Sequence, residues 1–340
     1  MAQLFADGCG RIGAAADITQ VWDSGTTANL SLISTALGQA CQQVSSGTYT
    51  KAWGSNDATV FSQIRYFNGT GTSGSQYFYL SLMDGAAAQV TLRLNDDGSV
   101  SVYSGGPTGT LLGSASAVFT QAAWNSFQMK VVVHNTTGSV EVRKNGSSTP
   151  ILALTNVNTR GGSGNAYANG VQLGTSSNIT RAWQHLFLHN ASGAGPTDWL
   201  GDFRPITQFP ASAVSTAFTA NTGTNLAAVQ SANGDTSYVS SSTVGAEDLY
   251  GFATLASLGV SPSAIIGVQP FAVARRTDAG ARTMSLRAKS GATDASVVAD
   301  AAMPTSYKCE SAFLAVDPAT SAAWTTGGVD ALAVGVKIDA

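Results

Sequence analysis

Gln89-Val90-Thr91-Leu92-Arg93-Leu94, then Asn95-Asp96-Asp97-Gly98, then Ser99-Val100-Ser101-Val102-Tyr103 is the stretch on which the fold turns. Apolar residues occupy every second position of both arms, the period of a strand with one buried face. The Asn, Asp and Gly between the arms tolerate the positive φ of a tight turn, so the stretch reads as a hairpin. Local side-chain hydrogen bonding within that turn accounts for both aspartates. A second hairpin pairs 127–133 with 139–143 around the loop His134 to Gly138, and Asn145-Gly146 supplies a further turn. Tyr77 to Met83 and Ile64 to Phe67 add aromatic-rich strands. Short strands with turn chemistry roughly every ten residues predict a two-sheet sandwich.

The whole chain, 340 residues and 34.6 kDa, exceeds what one core usually serves, so about two domains are expected. Seventeen basic and twenty acidic residues leave a formal charge of -3, which argues against a nucleic-acid or membrane-surface partner. Only 11% of residues are charged, against roughly a quarter in ordinary soluble domains. A subunit that hides surface against copies of itself needs less charge for solubility, so self-association is expected. Thirty-seven glycines and nine prolines leave few helix-forming stretches. Cys9, Cys41 and Cys309 form no C-x-x-C pair and read as small buried thiols. Residues 1–11 carry no basic region ahead of an apolar run, and no stretch is apolar for long enough to predict a membrane span. Two glycines and weak periodicity make that segment read as an arm ordered on contact with a partner.

Organisation follows from where the pattern weakens. Residues 1–200 read as the sandwich, 201–240 as a linker or interface arm, and 241–340 as a smaller β-rich domain. Within the last, 265–275 and 282–287 are expected to pair around Thr277-Asp278-Ala279-Gly280. Gly245 to Leu258 reads as a short helix, with Glu247 and Asp248 at its N-terminal end.

Trp124-Asn125-Ser126-Phe127-Gln128-Met129-Lys130-Val131 followed by Gly138-Ser139-Val140-Glu141-Val142-Arg143-Lys144-Asn145-Gly146 resembles the concanavalin A-like lectin and glucanase (laminin G-like) jelly roll. Leu200-Gly201-Asp202-Phe203-Arg204-Pro205, Asp235-Thr236-Ser237-Tyr238, Glu247-Asp248-Leu249-Tyr250 and Asp317-Pro318-Ala319-Thr320 resemble the second half of a tailed-bacteriophage virion protein family. Trp324-Thr325 and the run Ala331 to Lys337 continue that likeness. The resemblance implies an all-β chain, a concanavalin A-like jelly-roll β-sandwich followed by a smaller β-rich domain. It implies a non-enzymatic virion structural protein, a capsid-decorating or tail-associated fibre or spike subunit. Its partners would be capsid, neck or tail proteins, its own copies as a homotrimer, and a host surface glycan. A glycan-binding host adhesin is the alternative, and a polysaccharide depolymerase ranks third.

Chemistry-bearing residues are sparse. The only glutamates, Glu141, Glu247 and Glu310, are scattered, whereas glycosidase chemistry needs two facing carboxyl groups. His185 and His189 sit on a strand pattern that places both on one face without further ligands. The virion family resembled carries acidic residues where Gln184, His185 and Asn190 stand here, which removes carboxylates for calcium or sugar chemistry. Gly8-Cys9-Gly10-Arg11-Ile12-Gly13 imitates a phosphate loop without its lysine. Arg275, Arg276, Arg282 and Arg287 cluster around one hairpin, where they serve as strand-face charges or as a grip on an acidic ligand. Trp22, Trp53, Trp183, Trp199 and Trp324 serve either as core or as sugar-stacking platforms. No catalytic residue, cofactor or metal is expected.

Overall fold

The structure, a computed structural model, describes residues 3–36, 38–69, 76–176, 180–192, 197–231 and 233–340. The chain divides into two compact units, 1–206 and 207–340. Among the described residues the first unit runs β1 (Gln3–Asp7), β2 (Ser24–Gly25), β3 (Leu30–Thr35), β4 (Gly38–Gln43), β5 (Gly47–Asp57), β6 (Thr59–Asn68), β7 (Tyr77–Asp84) and β8 (Ala87–Asn95). It continues through β9 (Val100–Ser104), β10 (Thr110–Ala115), β11 (Trp124–Val132), β12 (Gly138–Lys144), β13 (Leu152–Val157), β14 (Ala168–Thr175) and β15 (Arg181–Asn190). One antiparallel sheet has the order β13-β12-β11-β6-β15-β4-β3, with β1 also on β15, and the other has the order β10-β9-β8-β7-β14-β5-β2. This is the two-sheet sandwich that the strand period predicts, and the all-β jelly roll that the resemblance implies. Both expected hairpins form, with Leu94 opposite Val100 and Val131 opposite Val140. Asn145 and Gly146 both take positive φ, 51° and 72°, as a two-residue turn requires.

Aromatic rings tie the sheets together. Tyr49 meets Trp183 at 4.8 Å between centroids and Tyr66 meets Phe78 at 5.0 Å, each pair joining one sheet to the other. Trp22 and Trp183 are buried here, so these two tryptophans are core. The two aspartates of the decisive turn part company. Asp97 accepts locally from the Ser99 amide at 2.8 Å, as expected. Asp96 is fully buried and reaches across the sandwich to Arg181, also fully buried, at 2.6 Å. Turn chemistry therefore explains Asp97 and not Asp96, because Arg181 is brought to it only when the sheets close.

The expectation of a partner-ordered N-terminal arm is likewise corrected. Residues 3–7 pair with β15, and the buried Asp7 carboxylate accepts from the Cys9 amide and from Trp22 Nε1, both at 2.8 Å. The Gly8 to Gly13 loop folds inward, with Cys9 and Ile12 buried and Arg11 donating to the Ala6 carbonyl.

The second unit contains β16 (Ser212–Ser215), β17 (Thr219–Ala220), α1 (Asn225–Val229), β18 (Val239–Ser240), β19 (Glu247–Gly251), β20 (Phe271–Ala274), β21 (Thr283–Ser290), β22 (Thr293–Ala302), β23 (Lys308–Ser311), α2 (Thr326–Asp330) and β24 (Ala333–Ile338). Its main sheet has the order β16-β19-β24-β21-β22 around Leu286, Ala288, Trp324, Leu332 and Val334. Much of the segment 201–240 read as a linker or arm is built into this unit, since β16 pairs β19 and β17 pairs β18. Residues 265–275 do not return onto 282–287. Instead β20 pairs β23, and β21 lies between β22 and β24.

The helix expected over Gly245 to Leu258 is a strand at Glu247–Gly251. Asp248 is fully buried and accepts from the amides of Ala217 (2.6 Å) and Phe218 (2.9 Å), Asn225 Nδ2 (2.9 Å) and Tyr250 Oη (2.6 Å). Those distant donors and the β24 ladder outweigh the local helical spacing.

Candidate functional site

The outward face of the larger sheet of the first unit carries a broad concavity. Strand alternation sets its composition. On β6, Ile64 and Tyr66 enter the core while Arg65 and Phe67 face out. Register then places Trp124 of β11 beside Phe67, Gln184 of β15 beside Arg65, and Ala182 between Phe67 and Gln42 of β4. The sheet end formed by β3 completes the wall with Ile33, Ser34 and Thr35. The resulting groove has a volume of about 370 Å³, within the range of small-ligand sites.

Its chemistry is aromatic and amide-rich. Trp124 and Phe67 lie 5.5 Å apart at 46°, and the Arg65 guanidinium stands 5.5 Å from the Trp124 ring centre. Gln42 Oε1 accepts from Ser31 at 3.3 Å, and Gln184 Oε1 accepts from the Thr35 hydroxyl at 3.1 Å. The described lining holds no Asp or Glu. Burial lowers the Arg65 pKa, partly opposed by the nearby Asp202 carboxylate, with Arg204 acting in the same direction as burial.

The other half of the same face is covered by the chain itself. Residues 199–203 cross it, with Trp199 against Phe61 at 5.7 Å and Phe203 against Phe187 at 5.0 Å. Gln63 Nε2 donates to the Phe203 carbonyl at 2.9 Å and Gln128 Nε2 to the Gly201 carbonyl at 2.7 Å. Arg143 lies over Trp199 at 4.1 Å. Only about 10 Å³ of space remains beneath this crossing, so the sheet offers one open half and one filled half.

The sequence-predicted candidates fall elsewhere. His189 stacks on Phe61 at 4.7 Å under the covered half, and burial pulls its imidazole down to about 4. His185 takes φ 56° at a bulge between Gln184 and Phe187, which breaks the alternation expected to put both histidines on one face. No group of three or more His, Cys, Asp or Glu side chains able to hold a metal is found among the described residues. Glu141 is bound by Arg143 at 2.6 Å, Glu247 by Arg287 at 3.0 Å and Glu310 by Lys308 at 2.6 Å, in three different sheets. The arginine cluster is engaged internally: Arg275 with Asp235, Arg276 with the Ala279 and Gly280 carbonyls, Arg282 with Asp278, Arg287 with Glu247 and Asp294. Trp324 is core, and Trp53 donates to Asp57 at 3.0 Å. Trp124, Arg65 and Gln42, the residues that build the groove, were not singled out as site candidates. An aromatic opening a strand was the available signal for Trp124. Nothing local marks the other two.

No protein-family model matches the chain, and no curated protein matches it. Among solved structures, carbohydrate binding module CBM66 from Bacillus subtilis is similar at 8% identity and TM-score 0.32, over 49% of this chain and 95% of that one. The GH131 β-glucanase catalytic domain from Podospora anserina is similar at 12% identity and TM-score 0.39, over 58% and 99%. The CBM2 module of the evolved Dit of Lactobacillus casei BL23 phage J-1 is similar at 15% identity and TM-score 0.29, over 47% and 75%. Similar structures thus include binding modules and a hydrolase domain.

Proposed function

We propose that this chain is a non-enzymatic bacteriophage virion subunit, capsid-decorating or tail-associated, whose sandwich binds a host-surface glycan in the groove around Trp124. The observation that carries the binding reading is the open half-sheet, where an aromatic pair adjoins amide and hydroxyl groups in a cleft of about 370 Å³. A sugar presents an apolar C–H face and a rim of hydroxyls, and this lining supplies a partner for each. Each of the three glutamates is held in an ion pair, with Arg143, Arg287 and Lys308 respectively, which supports binding without hydrolysis by these groups. The virion assignment is supported by the sequence resemblance from Leu200 onward. Self-association as a homotrimer is supported by the 11% charge content and by exposed Val214, Tyr238, Val244 and Leu258 in the second unit.

Binding is tested on an array of bacterial envelope glycans with reducing-end release measured in parallel. Trp124→Ala should weaken binding roughly tenfold or more while leaving the melting transition in place. Unchanged binding by that variant would remove the groove from the proposal, and steady release of reducing ends would overturn the non-enzymatic part. Light scattering of the purified chain tests the trimer, and a map of the particle tests the virion location.

A further inference from the structure

Among the described residues, the Arg65 guanidinium and Gln184 Nε2 stand side by side in the groove without a hydrogen-bond acceptor. Arg65 and Gln184 are direct cross-strand partners on the outward face. Among the described residues Arg65 makes no ion pair; its contacts are the Trp124 ring at 5.5 Å and the longer-range fields of Asp202 and Arg204, which oppose each other. Gln184 is fully buried at the groove floor, its Oε1 taken by Thr35 and its Nε2 without a hydrogen-bond partner. A buried amide N–H left unpaired is costly, and a partly desolvated guanidinium with no counter-ion is poised to gain from one. With no Asp or Glu in the described lining, an oxyanion on a ligand would meet both donors without competition from a carboxylate of the groove.

We propose that the groove selects glycans carrying an oxyanion, with Arg65 and Gln184 donating to that group while the adjoining sugar ring lies on Trp124. Carboxylate and phosphate share the required chemistry, two or more acceptor oxygens matched to a planar fork. This rests on the glycan-binding reading and narrows it to acidic sugars.

The full chain is titrated calorimetrically with three probes: oligogalacturonate, the same oligomer as its methyl ester, and a 6-phosphorylated oligomannoside. The expected result is that one anionic probe, carboxylate or phosphate, binds about tenfold or more tighter than the neutral ester at low salt. The identity of that probe names the oxyanion. Raising the salt should shrink the advantage, Arg65→Gln should abolish it, and Arg65→Lys should retain part of it. Trp124→Ala should weaken neutral and anionic probes alike. Equal binding of acid and ester, with Trp124→Ala still damaging both, overturns the oxyanion inference and leaves the groove standing. Binding of none of the three, or binding indifferent to Trp124→Ala, overturns both.

Discussion

Replacing Asp96 by Asn takes away the carboxylate that the buried, charged Arg181 guanidinium meets. Both side chains are fully excluded from solvent and meet at 2.6 Å, so solvent screening does not soften the loss. Burial pushes the Asp96 carboxyl up from its ordinary range even with the guanidinium beside it. Removing one partner of a buried pair costs about 3–5 kcal/mol. In a unit of this size each kcal/mol lowers the melting temperature by about 2–4 °C, so a drop on the order of 6–20 °C is expected. Scanning calorimetry on the full chain measures it, with near-ultraviolet dichroism reporting the Tyr49–Trp183 and Tyr66–Phe78 contacts of this unit. Asp97→Asn, next in sequence but bonded only to the Ser99 amide, is the control and should cost less than about 1 kcal/mol. Replacing both partners by apolar residues, Asp96→Leu with Arg181→Met, should recover much of the loss. Asp96→Asn within about 1 kcal/mol of the parent, or no worse than Asp97→Asn, refutes the reasoning.

The buried imidazole of His189 titrates near 4 against 6.5 when unfolded, so the folded chain holds that proton less well. Its contribution is complete above about pH 6.5 and falls toward pH 4 by as much as about 3 kcal/mol, a slope that urea unfolding should show and His189→Phe should flatten. Asp248→Ala removes the acceptor shared by four donors and should cost about 3 kcal/mol or more, read as loss of the second unit's transition alone. Burial raises the pKa of the Cys9 and Cys41 thiols, whereas Cys309 is partly exposed. A thiol reagent should therefore label Cys309 in the native protein and the other two only on unfolding.

The limits of local pattern show most clearly between residues 245 and 258. Leu249, Phe252, Leu255 and Ala256 have helical spacing, yet Glu247–Gly251 is a strand, because the backbone donors of Ala217 and Phe218 capture Asp248 and β24 captures the main chain. The same holds for the N-terminal segment, where Asp7 finds Trp22 and β15 only in the closed fold. In the groove, Trp124 stood inside a recognisable strand-opening pattern. Arg65 reads locally as one more outward charge and Gln184 as a missing acid, and their meeting depends on β6 lying against β15.

Residue order alone determined that this chain is all-β, where its tightest turns fall, which positions of β8, β9, β11 and β12 face inward, and that a smaller β-rich unit follows the sandwich. Those properties follow from period-two alternation and the backbone freedom of Asn, Asp and Gly, which act over a few residues. Tertiary structure alone decided that Asp96 pairs with Arg181, that residues 199–203 fill half of an outward sheet face, and that Trp124, Arg65 and Gln184 line the other half. The choice of neighbouring strand is a long-range competition among similar sequences, settled by burial and hydrogen-bond satisfaction summed over the whole sandwich.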